Sequence, residues 1–340
     1  MFWAQETGAS KIGIVPCARF LSSHLPMNRY IRAHLTLLFL LVSSCQRDPL
    51  QSQPPAFLAD TESWVVTSSI TKRKYQISVA LPDGYREQNK VYPVLYAVDA
   101  NTEFGTLVET ARTMEDEDLI PNIVFVGIGY PNFTQGWKAS SAPRCVDLTP
   151  TEDRAWEKET AEEWQKKGMP PAEGSGGADG FFRFIREELI PLIEQKYRVS
   201  HDDRAFFGHS FGGLFGLHAL FKNEGTFQRF ILGSPSLWWD KRVTIAHEEA
   251  YAAKHKALPG RIFLSVGLLE QRSGTAEGEK YGMVENVRKF GEALKSRGYD
   301  GLDLKVHYFE DETHTSVIPA TVSKGLRFIY PPKKTSADSK

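Results

Sequence analysis

The pentapeptide Gly208-His209-Ser210-Phe211-Gly212 is the stretch of this sequence best suited to chemistry. It follows the strand-like run Arg204–Phe207 and opens the apolar, helix-like run Leu214–Phe221. At a sharp turn from strand to helix a serine is held in a strained conformation, and side chains two positions to either side would strike it, so glycines there have a steric reason. A G-x-S-x-G match alone arises by chance in on the order of one chain in ten of this length. Its place between a strand and a helix is what gives it weight. The bland reading of Ser210 is a helix N-cap, and the chemical one is a nucleophile.

A serine hydroxyl attacks a carbonyl only if a base takes its proton. For a strand-to-helix serine the base belongs on a loop after the last strand, and two histidines stand in that region. His307 lies within the strand-like Leu304–Phe309, where a sheet would fix it, whereas His314 lies just past that strand with a helix-like segment behind it, so placement selects His314. A carboxylate after the preceding strand would orient the imidazole. Glu270, which ends Arg261–Glu270, fits; Glu277, Glu279, Asp311 and Glu312 are looser alternatives. The oxyanion of the intermediate needs two backbone donors, for which the sequence offers Phe211, after the serine, and Ala100, after the strand Tyr92–Val98.

Other runs supply the frame. Trp64–Ile70 and Tyr75–Leu81 alternate as an antiparallel opening hairpin, and Tyr92–Val98, Ile123–Gly129, Ala205–Phe207, Phe230–Leu232, Ile262–Val266 and Leu304–Phe309 are short apolar runs bounded by turn formers. Helix-like stretches at about 180–197, 211–223, 283–297 and 316–328 alternate with them. The expectation is an α/β fold, a mostly parallel sheet with an antiparallel N-terminal edge and helices on both faces. Residues 131 to 178 read as one long irregular stretch, suited to a lid or binding loop.

The N-terminus reads as a separate unit. From Met27, Arg29 and Arg32 precede an apolar core from Leu35 to Val42, as in an export signal too short to span a bilayer. Leu41-Val42-Ser43-Ser44 before Cys45 is similar to the lipobox of bacterial lipoproteins. The expected organisation is a mis-called extension over 1–26, with Met27 as initiator, a signal over 27–44, a tether over 45–60 carrying lipid on Cys45, a catalytic domain over 61–332 and a polar tail over 333–340. The expected location is an exported protein held on a membrane, on its periplasmic side or at the cell surface. With 41 basic and 42 acidic residues and no basic cluster, nothing points to nucleic acid. Cys17, Cys45 and Cys145 show neither a redox nor a metal spacing. No metal site or phosphate cradle is visible, so no cofactor is expected, and the oligomeric state is left open.

Tyr92–Asp99, Asp147–Pro150, Glu188–Ile193, the serine turn, Ser234-Pro-Ser-Leu-Trp-Trp239 and Glu312-Thr-His-Thr-Ser316 together resemble an esterase family of α/β-hydrolases. Its members include siderophore esterases, S-formylglutathione hydrolases, feruloyl esterases and mycolyltransferases, and the siderophore branch is the most similar. The resemblance spans residues 70 to 330 and implies hydrolysis of a small carboxyl ester, siderophore-like or aromatic, through an acyl-Ser210 intermediate. Some siderophore esterases resemble a Ser–His dyad, which stays open beside the Glu270 triad. Ala100 stands where the family commonly has glycine, a change that narrows the conformations open to the oxyanion loop. Trp238, Trp239, Trp137, Arg144 and His209 are candidate pocket residues, against the alternative of ordinary core and surface. Acyl transfer to an alcohol, and a noncatalytic lipoprotein that kept the fold for binding, are the competing functions.

Overall fold

A computed structural model describes residues 58–331 apart from 133–135 and 273. The extension, the signal, Cys45, most of the tether and the polar tail lie outside the described residues. The strands are β1 (Thr61–Thr67), β2 (Lys74–Ala80), β3 (Tyr92–Ala97), β4 (Val124–Gly129), β5 (Val199–His209), β6 (Arg229–Gly233), β7 (Ala257–Gly267) and β8 (Asp300–Phe309). They form one sheet in the order β1-β2-β4-β3-β5-β6-β7-β8. β1 pairs antiparallel with β2 and β2 with β4, while every pairing from β4 through β3 to β8 is parallel. This is the α/β-hydrolase arrangement expected from the sequence.

Strand alternation divides the core between the two faces. In β3, Val94 and Tyr96 join one buried cluster and Leu95 and Ala97 the other; in β5, Phe206 and Phe207 divide the same way. Helices α1 (Ala100–Asp116) and α10 (Val317–Ile329) cover the second face. α10 turns Val317, Thr321, Val322, Gly325, Leu326 and Ile329 inward, the spacing of an amphipathic helix. The first face carries a helical run made of α4 (Ala178–Arg183), a π-helical segment (Phe184–Leu189) and α5 (Ile190–Lys196), followed by α6 (Phe211–Phe221). Ten of the eleven residues of α6 are buried, which explains its apolar character all round.

The stretch from 131 to 178 is not one irregular loop. It contains α2 (Trp137–Asp147) and α3 (Arg154–Lys166). Pro143 inside α2 and the charge of α3 hid them. α3 still carries a legible start, since the Asp153 carboxylate accepts from the Trp156 N–H at 3.0 Å. Trp156, Thr160 and Trp164 follow at intervals of four on the inner side. The remaining helices are α7 (Trp239–Ala252), α8 (Ala276–Tyr281) and α9 (Met283–Arg297).

Candidate active site

β5 ends on His209 and α6 begins on Phe211, so Ser210 alone makes the turn, at φ 61° and ψ −119°. The glycines around it are forced by close approach. A side chain at 208 would run into the backbone carbonyl of Gly212, and one at 212 would lie 2.8 Å from Val98 and 3.3 Å from the Asp99 carboxylate. Ser210 occupies the N-cap position of α6, yet its side chain makes no capping bond. Its Oγ lies 2.9 Å from His314 Nε2.

His314 sits between β8 and α10, and its Nδ1 lies 2.6 Å from Glu270 Oε2. Glu270 closes a short 3-10 turn (Leu268–Glu270) directly after β7. Its other oxygen accepts from Ser234 Oγ at 2.6 Å and from the Gly267 N–H at 2.8 Å. The turn and the histidine loop are stitched by the Leu269 N–H donating to the Glu312 carbonyl at 3.1 Å. A carboxylate only accepts, so the bonding assigns the proton to Nδ1 and leaves Nε2 to accept from the serine hydroxyl. The Glu270 side chain is 1% exposed and that of His314 40%, so the carboxylate is dry and the imidazole is open to solvent.

Of the looser acids, Asp311 and Glu279 are exposed, Glu312 accepts from the Ser316 hydroxyl, and the Glu277 side chain lies outside what the structure describes. His307 lies in β8 against Phe263 and Phe309, with Lys324 Nζ 3.2 Å from its Nε2. Phe211 and Ala100 are the first residues of α6 and α1, where backbone N–H groups have no partner within the helix. The positive φ of the loop after β3 falls on Asp99, at 56°, and Ala100 is helical, so alanine there is unstrained.

The proposed pocket residues divide. Trp238 is half-buried, 5.9 Å from the Phe211 ring and 4.6 Å from Tyr281, and Trp137 is 43% exposed. Trp239, in contrast, is fully buried, with its indole N–H donating to the Thr151 carbonyl, and belongs to the core beside Trp156 and Phe211. Arg144 is also interior, with its guanidinium spent on both oxygens of Asp99. His209 is buried with its ring 4.7 Å from that of His314, and neither ring nitrogen has a hydrogen-bond partner. Burial first, and the neighbouring His314 second, hold its pKa well below the usual histidine range. Ser234 and Asp99 were missed as site residues. The signal for Ser234 was the SPSLWW run itself, and for Asp99 its place at the end of β3.

The family described as "Putative esterase" matches residues 68–315. The ferri-bacillibactin esterase BesA of Bacillus subtilis (strain 168) is 34% identical over 278 residues, 80% of this chain and 90% of that protein. The siderophore enterobactin esterase of Emericella nidulans is 34% identical over 281 residues, 75% of this chain and 89% of that one. Among solved structures, the BES protein from Bacillus cereus aligns with a TM-score of 0.67 at 31% identity, across 83% of this chain and 99% of that one.

Proposed function

This chain belongs to that esterase family and is a serine carboxylester hydrolase, and we propose that Ser210, His314 and Glu270 carry its reaction on a siderophore-like ester. The observation that carries the assignment is the single hydrogen-bonded line from Ser210 Oγ through the His314 ring to Glu270. As Ser210 Oγ bonds to the acyl carbon, its proton passes to His314 Nε2 and the carbonyl electron pair moves onto oxygen. That oxyanion is met by the N–H groups of Phe211 and Ala100. Collapse expels the alcohol with the proton from His314, and water, deprotonated by the same imidazole, releases the acid. Glu270 fixes the tautomer and stabilises the imidazolium. The siderophore class is supported by relatives named for such esters, and the half-buried ring of Trp238 and the exposed ring of Trp137 suit an aromatic acyl group. A fluorophosphonate should label the folded protein on Ser210, with labelling slowed by a catechol siderophore lactone. A folded protein that is not labelled, or that hydrolyses p-nitrophenyl esters but no siderophore ester, rejects the first or the second part respectively.

The chain is further inferred to be exported and held on a membrane through lipid on Cys45, with the domain from about Thr61 folding without that anchor. The support is the order of basic, apolar and small residues before Cys45. Cells fed a labelled fatty acid should lose the label from the Cys45→Ala protein. Label retained in that variant rejects the anchor.

A further inference from the structure

Two helices begin side by side at the site, and neither is capped by the side chain that begins it. Ser210 leaves α6 uncapped because its hydroxyl faces His314. Asp99 leaves α1 uncapped as well, although aspartate is among the strongest N-caps and its backbone carbonyl already accepts from Thr102 and Glu103. Its carboxylate is turned away onto Arg144, with Nε to Oδ1 and Nη2 to Oδ2 each at 2.7 Å. The two side chains are 3% and 5% exposed, so the pair is screened from water. Arg144 comes from α2, forty-five residues along the chain. Its guanidinium also lies 5.2 Å from the ring of Phe211, the other oxyanion residue, and 5.0 Å from Trp137. Glu103, buried beside the pair with one oxygen unbonded, is pushed well above the carboxylate range by burial and by the charge of Asp99. Among the described residues, Arg144 makes its ion pair with Asp99.

We propose that Arg144 is a positioning residue for the oxyanion site: its two-pronged grip on Asp99 holds the left-handed turn that aims the Ala100 N–H and keeps the carboxylate off that amide. Without the arginine, a side-chain rotation brings a negative oxygen onto the N-terminus of α1, where the oxyanion has to form. The inference rests on Ser210 being the nucleophile. It assigns to α2 the role of a clamp on the catalytic frame, distinct from any contact with substrate.

The test compares the wild-type domain with Arg144→Gln and with Asp99→Asn/Arg144→Gln, which removes the buried charge the single change would strand. Each is assayed for kcat and KM on p-nitrophenyl acetate and for affinity to a trifluoromethyl ketone. That ketone accepts a bond from Ser210 Oγ at its carbonyl carbon, its oxygen becomes an oxyanion, and the serine proton goes to His314, so it reads the oxyanion donors directly. The expected result is a kcat lower by about 10- to 100-fold in Arg144→Gln, short of the 10²–10³ seen when a donor is lost outright, and a smaller loss, still above about threefold, in the double variant, where the turn is unclamped but no negative oxygen can reach the amide. KM should stay within about threefold, and ketone affinity should weaken by the same factor as kcat. If Arg144→Gln does not fold, the double variant gives the reading. A folded variant with kcat within threefold of wild type, a loss confined to KM, or a fall in kcat with ketone affinity intact overturns the proposal. Turnover surviving Ser210→Ala in the otherwise unchanged domain counts against the nucleophile instead, and separates that failure from this one.

Discussion

Glu270 divides its two oxygens between separate tasks. Oε2 holds His314, while Oε1 is held in turn by Ser234 and the Gly267 amide. Removing the Ser234 hydroxyl deletes one hydrogen bond to a buried anion, a contribution of about 1.5–3 kcal/mol. Ser234→Ala is therefore expected to lower kcat by about 10-fold with KM unchanged, as seen in steady-state kinetics; an unaltered kcat would mean that Gly267 alone fixes the acid. Ser210→Ala and His314→Ala should each cost several orders of magnitude and the double variant little more, because the pair acts as a unit. His307→Ala, remote from the serine, should leave turnover near wild type. Ser210 and His314 were readable because each combines a chemical residue type with a position dictated by the fold. Ser234 and Asp99 were harder to read, because the SPSLWW run and the end of β3 mark their places but not their partners, which lie 36 and 45 residues away.

At the scale of elements, the glycines separate architecture from accident. A methyl group at 208 meets backbone at Gly212, which no rotamer change relieves, so Gly208→Ala should yield little soluble protein or a domain that a fluorophosphonate no longer labels. Gly105 lies mid-helix in α1, and a methyl group there meets no atom within 4 Å. Gly105→Ala should accordingly stabilise the domain by about 0.5–1 kcal/mol in urea titrations, through helix propensity and reduced freedom of the unfolded chain. The strands of the sheet were legible as short apolar runs because both faces are covered. Helices α1 and α7 were not. α1 follows an aspartate that does not cap it, and Asp240–Arg242 near the start of α7 have positive φ, so neither begins with an ordinary signal. α3 was obscured by its charged outer face, although Trp156 packs at 5.5 Å from Phe211 and 5.0 Å from Trp239, directly over the serine turn.

For the molecule as a whole, the chemistry gathers at the carboxyl ends of the parallel strands, where β3, β5, β7 and β8 each hand on to a site residue. A cavity of about 810 Å³, lined by Phe182, Leu220, Tyr251 and Leu258 among others, opens at the opposite end and touches none of them. Away from the site, the stability of the domain carries a pH signature from buried carboxyls. Burial pushes Glu115 up to about 7, against the bond it accepts from the Ile123 N–H, and pushes Asp147 up to about 6, against the pull of Arg73 and Tyr130. A carboxyl with a raised folded pKa binds its proton more tightly in the native state, so its contribution falls as pH rises, from 4.5 to about 7 for Glu115 and from 3.8 to about 6 for Asp147. His209 acts in the opposite sense, since its depressed pKa makes the fold weaker as pH drops below 6.5. The net slope mixes these groups, but comparison with Glu115→Gln isolates one of them. Glutamine keeps an oxygen to accept from Ile123 and removes the charge that burial opposes. The variant should match wild type near pH 4, where Glu115 is protonated in both states, and exceed it by roughly 2–3 kcal/mol at pH 8. Urea unfolding at the two pH values measures this directly; equal differences at both would show that Glu115 ionises in the native state as freely as in the unfolded chain.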